Sequence, residues 1–279
     1  MLVAFWGPVH GQVNTTSNMI AIATMLALDH HIRILLTHTH LERSTLEKAY
    51  SKLRQVERDS ESAGGMDGIY RLAECNMLTP ERVRDNAESL VKNRLDMLAG
   101  MTSGDSHKFK SILPEFIKQA QKPQAYELMF VDVSSGTRNE LSNLVMEQAD
   151  LIVVNINQNK SVLDPFFNRG EDWPEVLNKK PVIFCIGSYL RASSMSRNRI
   201  AKEHKISMKH IGYVPHHFKY LDAQNEQHII QFLMKVRSVK KKFLSFNEDV
   251  FFTEAVREMG KRILTSLEIL PPSEEEMYG

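Results

Sequence analysis

Leu2-Val3-Ala4-Phe5-Trp6, followed by Gly7-Pro8-Val9-His10-Gly11-Gln12-Val13-Asn14-Thr15-Thr16-Ser17-Asn18, is the stretch that decides the fold. The first five residues are an apolar strand pattern, and the small and apolar run from Met19 to Leu28 predicts a helix behind it. Strand, short glycine-containing loop, paired hydroxyls and helix make the frame of a phosphate-binding loop. In that frame backbone N–H groups and a helix N-terminus hold a polyphosphate, and the first hydroxyl residue holds Mg²⁺. The lysine of that frame is missing, because Asn14 stands directly before Thr15-Thr16. A plain β-to-α turn with a hydroxyl cap would also account for this loop taken alone.

The remainder of the chain favours the first reading. Further strand patterns lie at Arg33–Thr37, Arg94–Leu98, Tyr126–Val133, Asp150–Ile156, Pro181–Ile186 and Ile211–Val214. Helical spacing covers residues 41–58, 107–121, 138–148 and 193–204 and most of the chain after about residue 217. Thr79-Pro80-Glu81 is a helix start: a hydroxyl cap, proline at the first position and an acid in the first turn. Continuous apolar strands alternating with helices predict an α/β fold, a mostly parallel sheet covered by helices on both faces in three layers. One domain is expected over residues 1–270, with an acidic tail over 271–279. Ligands of such folds sit at the carboxyl ends of the strands. Asp132, with Ser134-Ser135-Gly136 behind it, falls at such an end, as does the first loop.

Composition narrows the function classes. With 279 residues, 42% apolar and 25% charged, the chain can bury a substantial core and has ordinary globular composition. A net charge of +1 gives no global argument for nucleic acid or an acidic partner. The two cysteines, Cys75 and Cys185, lie in stretches that read as buried or structural, which points to a reducing cytoplasm. No basic leader precedes the first strand, and no apolar run approaches the ~20 residues that span a bilayer. The expected location is the cytoplasm.

The first loop and helix, Tyr126–Asp132 with Ser134-Ser135-Gly136, Ala149–Val154 and Gly212-Tyr213-Val214-Pro215 together resemble the ParA/MinD-like deviant Walker ATPases of the P-loop superfamily. The resemblance spans roughly residues 2 to 260, and within it the chain is similar to the TadZ/CpaE-like pilus-assembly group. It implies a P-loop NTPase-type fold, ATP or ADP with Mg²⁺ as cofactors, a homodimer, and protein partners in a pilus, secretion or partition machine. It assigns the nucleotide to Gly11, Gln12, Val13, Asn14, Thr15 and Thr16, and Mg²⁺ to Thr15 and Asp132. It also exposes losses. Asn14 replaces the lysine bridging the β- and γ-phosphates, and Val9 replaces the signature lysine that reaches across the dimer. Leu36-Thr37-His38-Thr39-His40 replaces the Asp-x-Asp strand end, and Gly187 an adenine-reading asparagine. The resemblance with these losses implies a spatial organiser or scaffold whose hydrolysis is weak or absent. The alternative is an active partition ATPase with nonspecific DNA binding, its missing charge supplied by Arg138 or Lys160.

Other features have structural readings. His38 and His40 share a strand end and His216-His217 lie near another, but solvated loop histidines are commoner than a metal site without a cysteine or carboxylate partner at ligand spacing. Lys235, Arg237, Lys240, Lys241 and Lys242, near Phe243 and Phe246, read as a solvated helical face, as do Arg191, Arg197, Arg199 and Lys202. Phe251-Phe252, Val256, Met259, Ile263, Leu264 and Leu267 form an amphipathic stripe expected to pack on the core rather than on a membrane, since only Arg257, Lys261 and Arg262 accompany it.

Overall fold

The structure, a computed structural model, describes residues 1–40, 44–50, 64–101, 105–136, 139–168, 173–240 and 245–270. Eight strands form one sheet: β1 (Leu2–Trp6), β2 (Ile34–His38), β3 (Glu88–Val91), β4 (Leu95–Met97), β5 (Leu128–Asp132), β6 (Leu151–Ile156), β7 (Val182–Tyr189) and β8 (Ile211–Pro215). Their spatial order is β3-β4-β2-β5-β1-β6-β7-β8, parallel throughout except for the β3–β4 pair. The chain leaves β1 toward one side and later returns to its other side at β6, so a crevice opens at the carboxyl end of β1.

Alternation along β1 builds two cores at once. Leu2, Ala4 and Trp6 enter one, and Val3 and Phe5 enter the other. The Val3–Phe5 face is covered by α1 (Thr15–Asp29), which is buried at every residue from Asn18 to Leu28. A helix apolar on all sides needs cover on both faces. The sheet gives one, and α2 (Thr45–Tyr50) and the C-terminal helix, described below, give the other. The Trp6 face is covered by α3 (Gly65–Glu74), α4 (Pro80–Asp85), α5 (Ser106–Ala120), α6 (Glu140–Gln148) and α7 (Lys160–Phe167). Then follow α8 (Arg197–Glu203), α9 (Phe218–Asn225), α10 (Ile229–Val236) and α11 (Glu248–Ser266). The result is the three-layer α/β architecture expected from the strand patterns.

Strand positions agree with the sequence reading to within about two residues, the usual scatter of element ends, except that β7 runs three residues further, to Tyr189. Thr79 caps α4 through its Oγ1, which accepts from the Arg82 amide at 3.3 Å. Three of these elements go beyond the sequence reading: α3, ahead of the Thr79 cap; β3, a short edge strand with the half-exposed sequence Glu-Ser-Leu-Val; and α7, which carries Pro165 in its interior. The helix expected over 193–204 is confined to Arg197–Glu203, because Ser196 caps it there by accepting from the Arg199 amide.

The C-terminal helix packs in the core: Val256, Met259, Ile263, Leu264 and Leu267 are buried. Arg257 donates to Asp29 at 2.6 Å and Arg262 to the Lys209 carbonyl at 2.6 Å. Among the described residues no helix is long and apolar enough to cross a membrane. The expectation of two buried cysteines is half corrected. Cys185 is buried in β7, where desolvation pushes its thiol pKa up. Cys75 is exposed, because α3 ends there. The expected tail over 271–279 and most of the helix expected over 41–58 lie outside the described residues.

Candidate functional site

Strand register delivers the acid. Asp132 lies opposite Phe5 on β1 and His38 on β2. In-register side chains of neighbouring parallel strands share a face, and Phe5 belongs to the α1-side core. Asp132 therefore faces the start of α1. There Thr16 Oγ1 donates to Asp132 Oδ2 at 2.5 Å, and His40 Nε2 stands 3.3 Å from the same oxygen. Asp132 is fully buried, and its Oδ1 makes no hydrogen bond. Thr15 Oγ1 is likewise buried without a hydrogen-bond partner.

The loop is held by an amide chain. Asn155 Nδ2 donates to the Trp6 carbonyl at 3.1 Å, and Asn155 Oδ1 accepts from Asn18 Nδ2 at 2.8 Å. Asn18 Nδ2 also donates to the Val13 carbonyl at 3.2 Å, and Tyr220 Oη donates to the Ser17 carbonyl at 2.7 Å. The loop folds so closely on β1 that a Cβ on Gly7 would lie 2.4 Å from Val13 Cγ2. On its other side a Cβ on Gly187 would lie 2.4 Å from the Val13 carbonyl oxygen and 2.8 Å from Asn18 Nδ2. Glycine at 187 is thus what lets β7 reach the loop.

Asn14 is the N-cap of α1, in the left-handed region at φ 55°, and its side chain makes no capping bond. Instead its Nδ2 donates across to Ser188 Oγ at 2.5 Å. The helix N-terminus opens on a cavity of about 340 Å³, lined among others by His10, Gly11, Val13, Asn14, Thr15, Thr16, His40 and Asp132. The structure therefore brings five of the six expected nucleotide residues together with Asp132. Gln12 does not join the lining; it is exposed, and its carbonyl accepts from Asn157 Nδ2 at 3.3 Å. The Asp132 hydroxyl partner is Thr16 rather than Thr15.

The structure places carboxylates beside His38, His40 and His217 that sequence spacing did not show. His38 Nδ1 accepts from the His40 amide, so its Nε2 carries the proton and donates to Glu47 Oε1 at 3.2 Å. His40 sits beside Asp132. His217 Nδ1 accepts from the Tyr220 amide and Nε2 donates to Asp249 Oδ1 at 3.0 Å. The His38 and His40 rings lie 5.7 Å apart, yet among the described residues no three or more His, Cys, Asp or Glu are grouped to hold a metal ion.

Five of the cationic candidates are engaged elsewhere. Lys160 pairs with Glu203 at 3.4 Å, as does Arg199 at 2.7 Å. Arg237 donates to the Leu28 carbonyl. Arg191 lies over Phe246, its guanidinium carbon 4.8 Å from the ring centroid, and Arg197 over Tyr213 at 5.7 Å. Arg138, Lys241, Lys242 and Phe243 lie outside the described residues.

The chemistry of the cavity follows from this donor set. Thr15 Oγ1 and Asp132 Oδ1 are buried oxygens without partners, which suits a hard, oxygen-seeking cation such as Mg²⁺. The open N-terminus of α1 suits an anion. No lysine or arginine lines the cavity among the described residues. The cavity thus offers oxygens and amides of the kind that suit metal and phosphate, without the fixed positive charge a polyphosphate calls for. Asn18, Asn155 and Ser188 are site residues beyond the sequence reading. A polar Asn155 inside the apolar run Leu151–Ile156 was the available signal.

Solved structures share this architecture. The septum site-determining protein MinD of Pyrococcus horikoshii OT3, complexed with Mg-ADP, superposes with a TM-score of 0.65 at 13% identity, covering 96% of this chain and 97% of its own. The MinC:MinD cell division complex of Aquifex aeolicus gives 0.63 at 16% identity, with 98% of both chains covered. A ParA family ATPase of Chlorobium tepidum TLS gives 0.63 at 12% identity, with 93% and 97% covered. The fold is ParA/MinD-like. No family model and no curated protein matches the sequence.

Proposed function

We propose that this chain is a ParA/MinD-like spatial organiser or assembly scaffold, serving a pilus, secretion or partition machine, with a degenerate nucleotide site. The observation that carries this reading is Asn14. It occupies the lysine position, is held in a left-handed conformation and donates its side-chain amide to Ser188. In this reading the α1 N-terminus and the loop amides hold the phosphates of ATP or ADP, and Thr15 and Asp132 hold Mg²⁺. Bound Mg²⁺ would screen phosphate charge. Thr16 orients the Asp132 carboxylate through Oδ2, with His40 beside it, leaving Oδ1 for the metal. The amide chain from Trp6 to Val13 fixes the loop, and Gly187 closes β7 over it.

Phosphoryl transfer needs charge placed where it develops, and loss of such groups costs roughly 10²–10⁵ in rate. The cavity lacks that charge among its described residues, so binding survives while turnover falls. The similar structures of MinC-bound and Mg-ADP-bound MinD support a protein partner and a nucleotide for this fold; homodimerisation is part of the same proposal. Steady-state hydrolysis of Mg-ATP tests it. The expected result is turnover at or near background. Robust turnover that Asp132→Ala abolishes would replace the reading with an active partition ATPase, and DNA binding that requires ATP would strengthen that replacement.

A further inference from the structure

A second cavity lies at the opposite end of the sheet, where β6 and β7 begin at Leu151 and Val182. It holds about 550 Å³. Its wall is aromatic. Phe167 stacks on His204 with ring centroids 4.3 Å apart, and packs on Phe184 at 5.3 Å and on Trp173 at 6.4 Å. Its rim carries the cations Lys180 and Lys205, with His210 also lining it, and among the described residues no aspartate or glutamate does.

One polar group in the wall lacks a partner. The His204 side chain is only 10% exposed, and its Nε2 makes no hydrogen bond, with the Asp164 carboxylate 3.9 Å away. A buried polar atom in that state is a cost that a bound partner removes. Burial also lowers the imidazole pKa, so the ring is neutral near pH 7 and can give or take a hydrogen bond. The loop site uses none of these residues.

We propose that this cavity is a second ligand site and that it takes a small anion carried on a flat apolar body, of the class of aromatic carboxylates and aromatic phosphate esters. The flat body lies against Trp173 and Phe167, and the anion meets Lys180 and Lys205. Ring stacking and opposite charge act together here, so the intact ligand binds better than either of its halves.

Trp173 reports directly on the cavity, because the chain's other tryptophan, Trp6, is fully buried in β1. The full-length protein is titrated with phenyl phosphate, and separately with benzyl alcohol and inorganic phosphate, following tryptophan emission and heat. Saturable binding of phenyl phosphate is expected, about tenfold tighter than either half. The Lys180→Ala/Lys205→Ala double variant should weaken it by about tenfold. Thr15→Ala should leave it unchanged, separating this cavity from the loop. Absence of saturation up to roughly 10 mM, a value corresponding to negligible affinity, would overturn the proposal. So would binding by the double variant at wild-type strength, or loss of binding in Thr15→Ala.

Discussion

The two sides of the loop cavity differ in what they keep. On the β5 side, Thr15, Thr16 and Asp132 present oxygens, two of them buried and unpartnered. On the loop side, Val9 and Asn14 stand where the resemblance places lysines, and Asn14 is tied to Ser188. The oxygen side is built by strand register and the first turn of α1, so it persists as long as the fold does. Lysines on such a loop would be long surface side chains that contribute little to folding. A fold can therefore lose its charge-neutralising residues and retain the metal-facing frame.

Four substitutions or conditions can break or sharpen that comparison. The largest effect is expected from Asn155→Leu, which strands the buried Asn18 amide and the Trp6 carbonyl. Denaturant unfolding should show a loss of about 3 kcal/mol. An unchanged midpoint would mean the loop is not held by this amide chain. Gly187→Ala comes next, since its Cβ would meet the Val13 carbonyl and Asn18. The expected cost is about 2 kcal/mol, with weaker nucleotide binding by calorimetry.

Asn14→Lys restores a charge to the loop side alone. It should tighten Mg-ATP binding by about tenfold, a charge-assisted contact offset in part by the left-handed backbone. No gain in affinity would show that the oxygen side, not the missing charge, limits binding.

The smallest effect is a pH dependence away from the cavity. Burial, opposed by Asp249, lowers the pKa of His217 below the ordinary 6.5. Its neutral ring is fully used, accepting from the Tyr220 amide and donating to Asp249. The unfolded chain binds this proton more readily, so stability is present above about pH 6.5 and is lost as pH falls toward the folded-state value. Thermal unfolding between pH 7.5 and 5.5 should show that decline, flattened in His217→Gln.

Much of this was legible in the sequence. The apolar runs at Leu2–Trp6, Tyr126–Val133 and Asp150–Ile156 are buried on both faces, which made the parallel sheet readable without an alternation signal. Thr15, Thr16 and Asp132 were legible because a hydroxyl pair after a loop and an acid ending an apolar strand are local patterns. The pairing of Thr16 rather than Thr15 with Asp132 was not, because it depends on how the first turn of α1 is rotated against β5. The partners Glu47 and Asp249 were hidden for a similar reason. They lie 9 and 32 residues from His38 and His217, and only folding brings them together. Gly187 and Ser188 showed nothing locally of their contact with the loop across the sheet.

The most direct test is calorimetric titration of the protein with ATP and ADP, each with and without Mg²⁺, repeated on Thr15→Ala. The oxygen side predicts weak binding that requires Mg²⁺ and disappears in the variant. Tight binding indifferent to Mg²⁺ and to Thr15→Ala, or no binding at millimolar nucleotide, would contradict it.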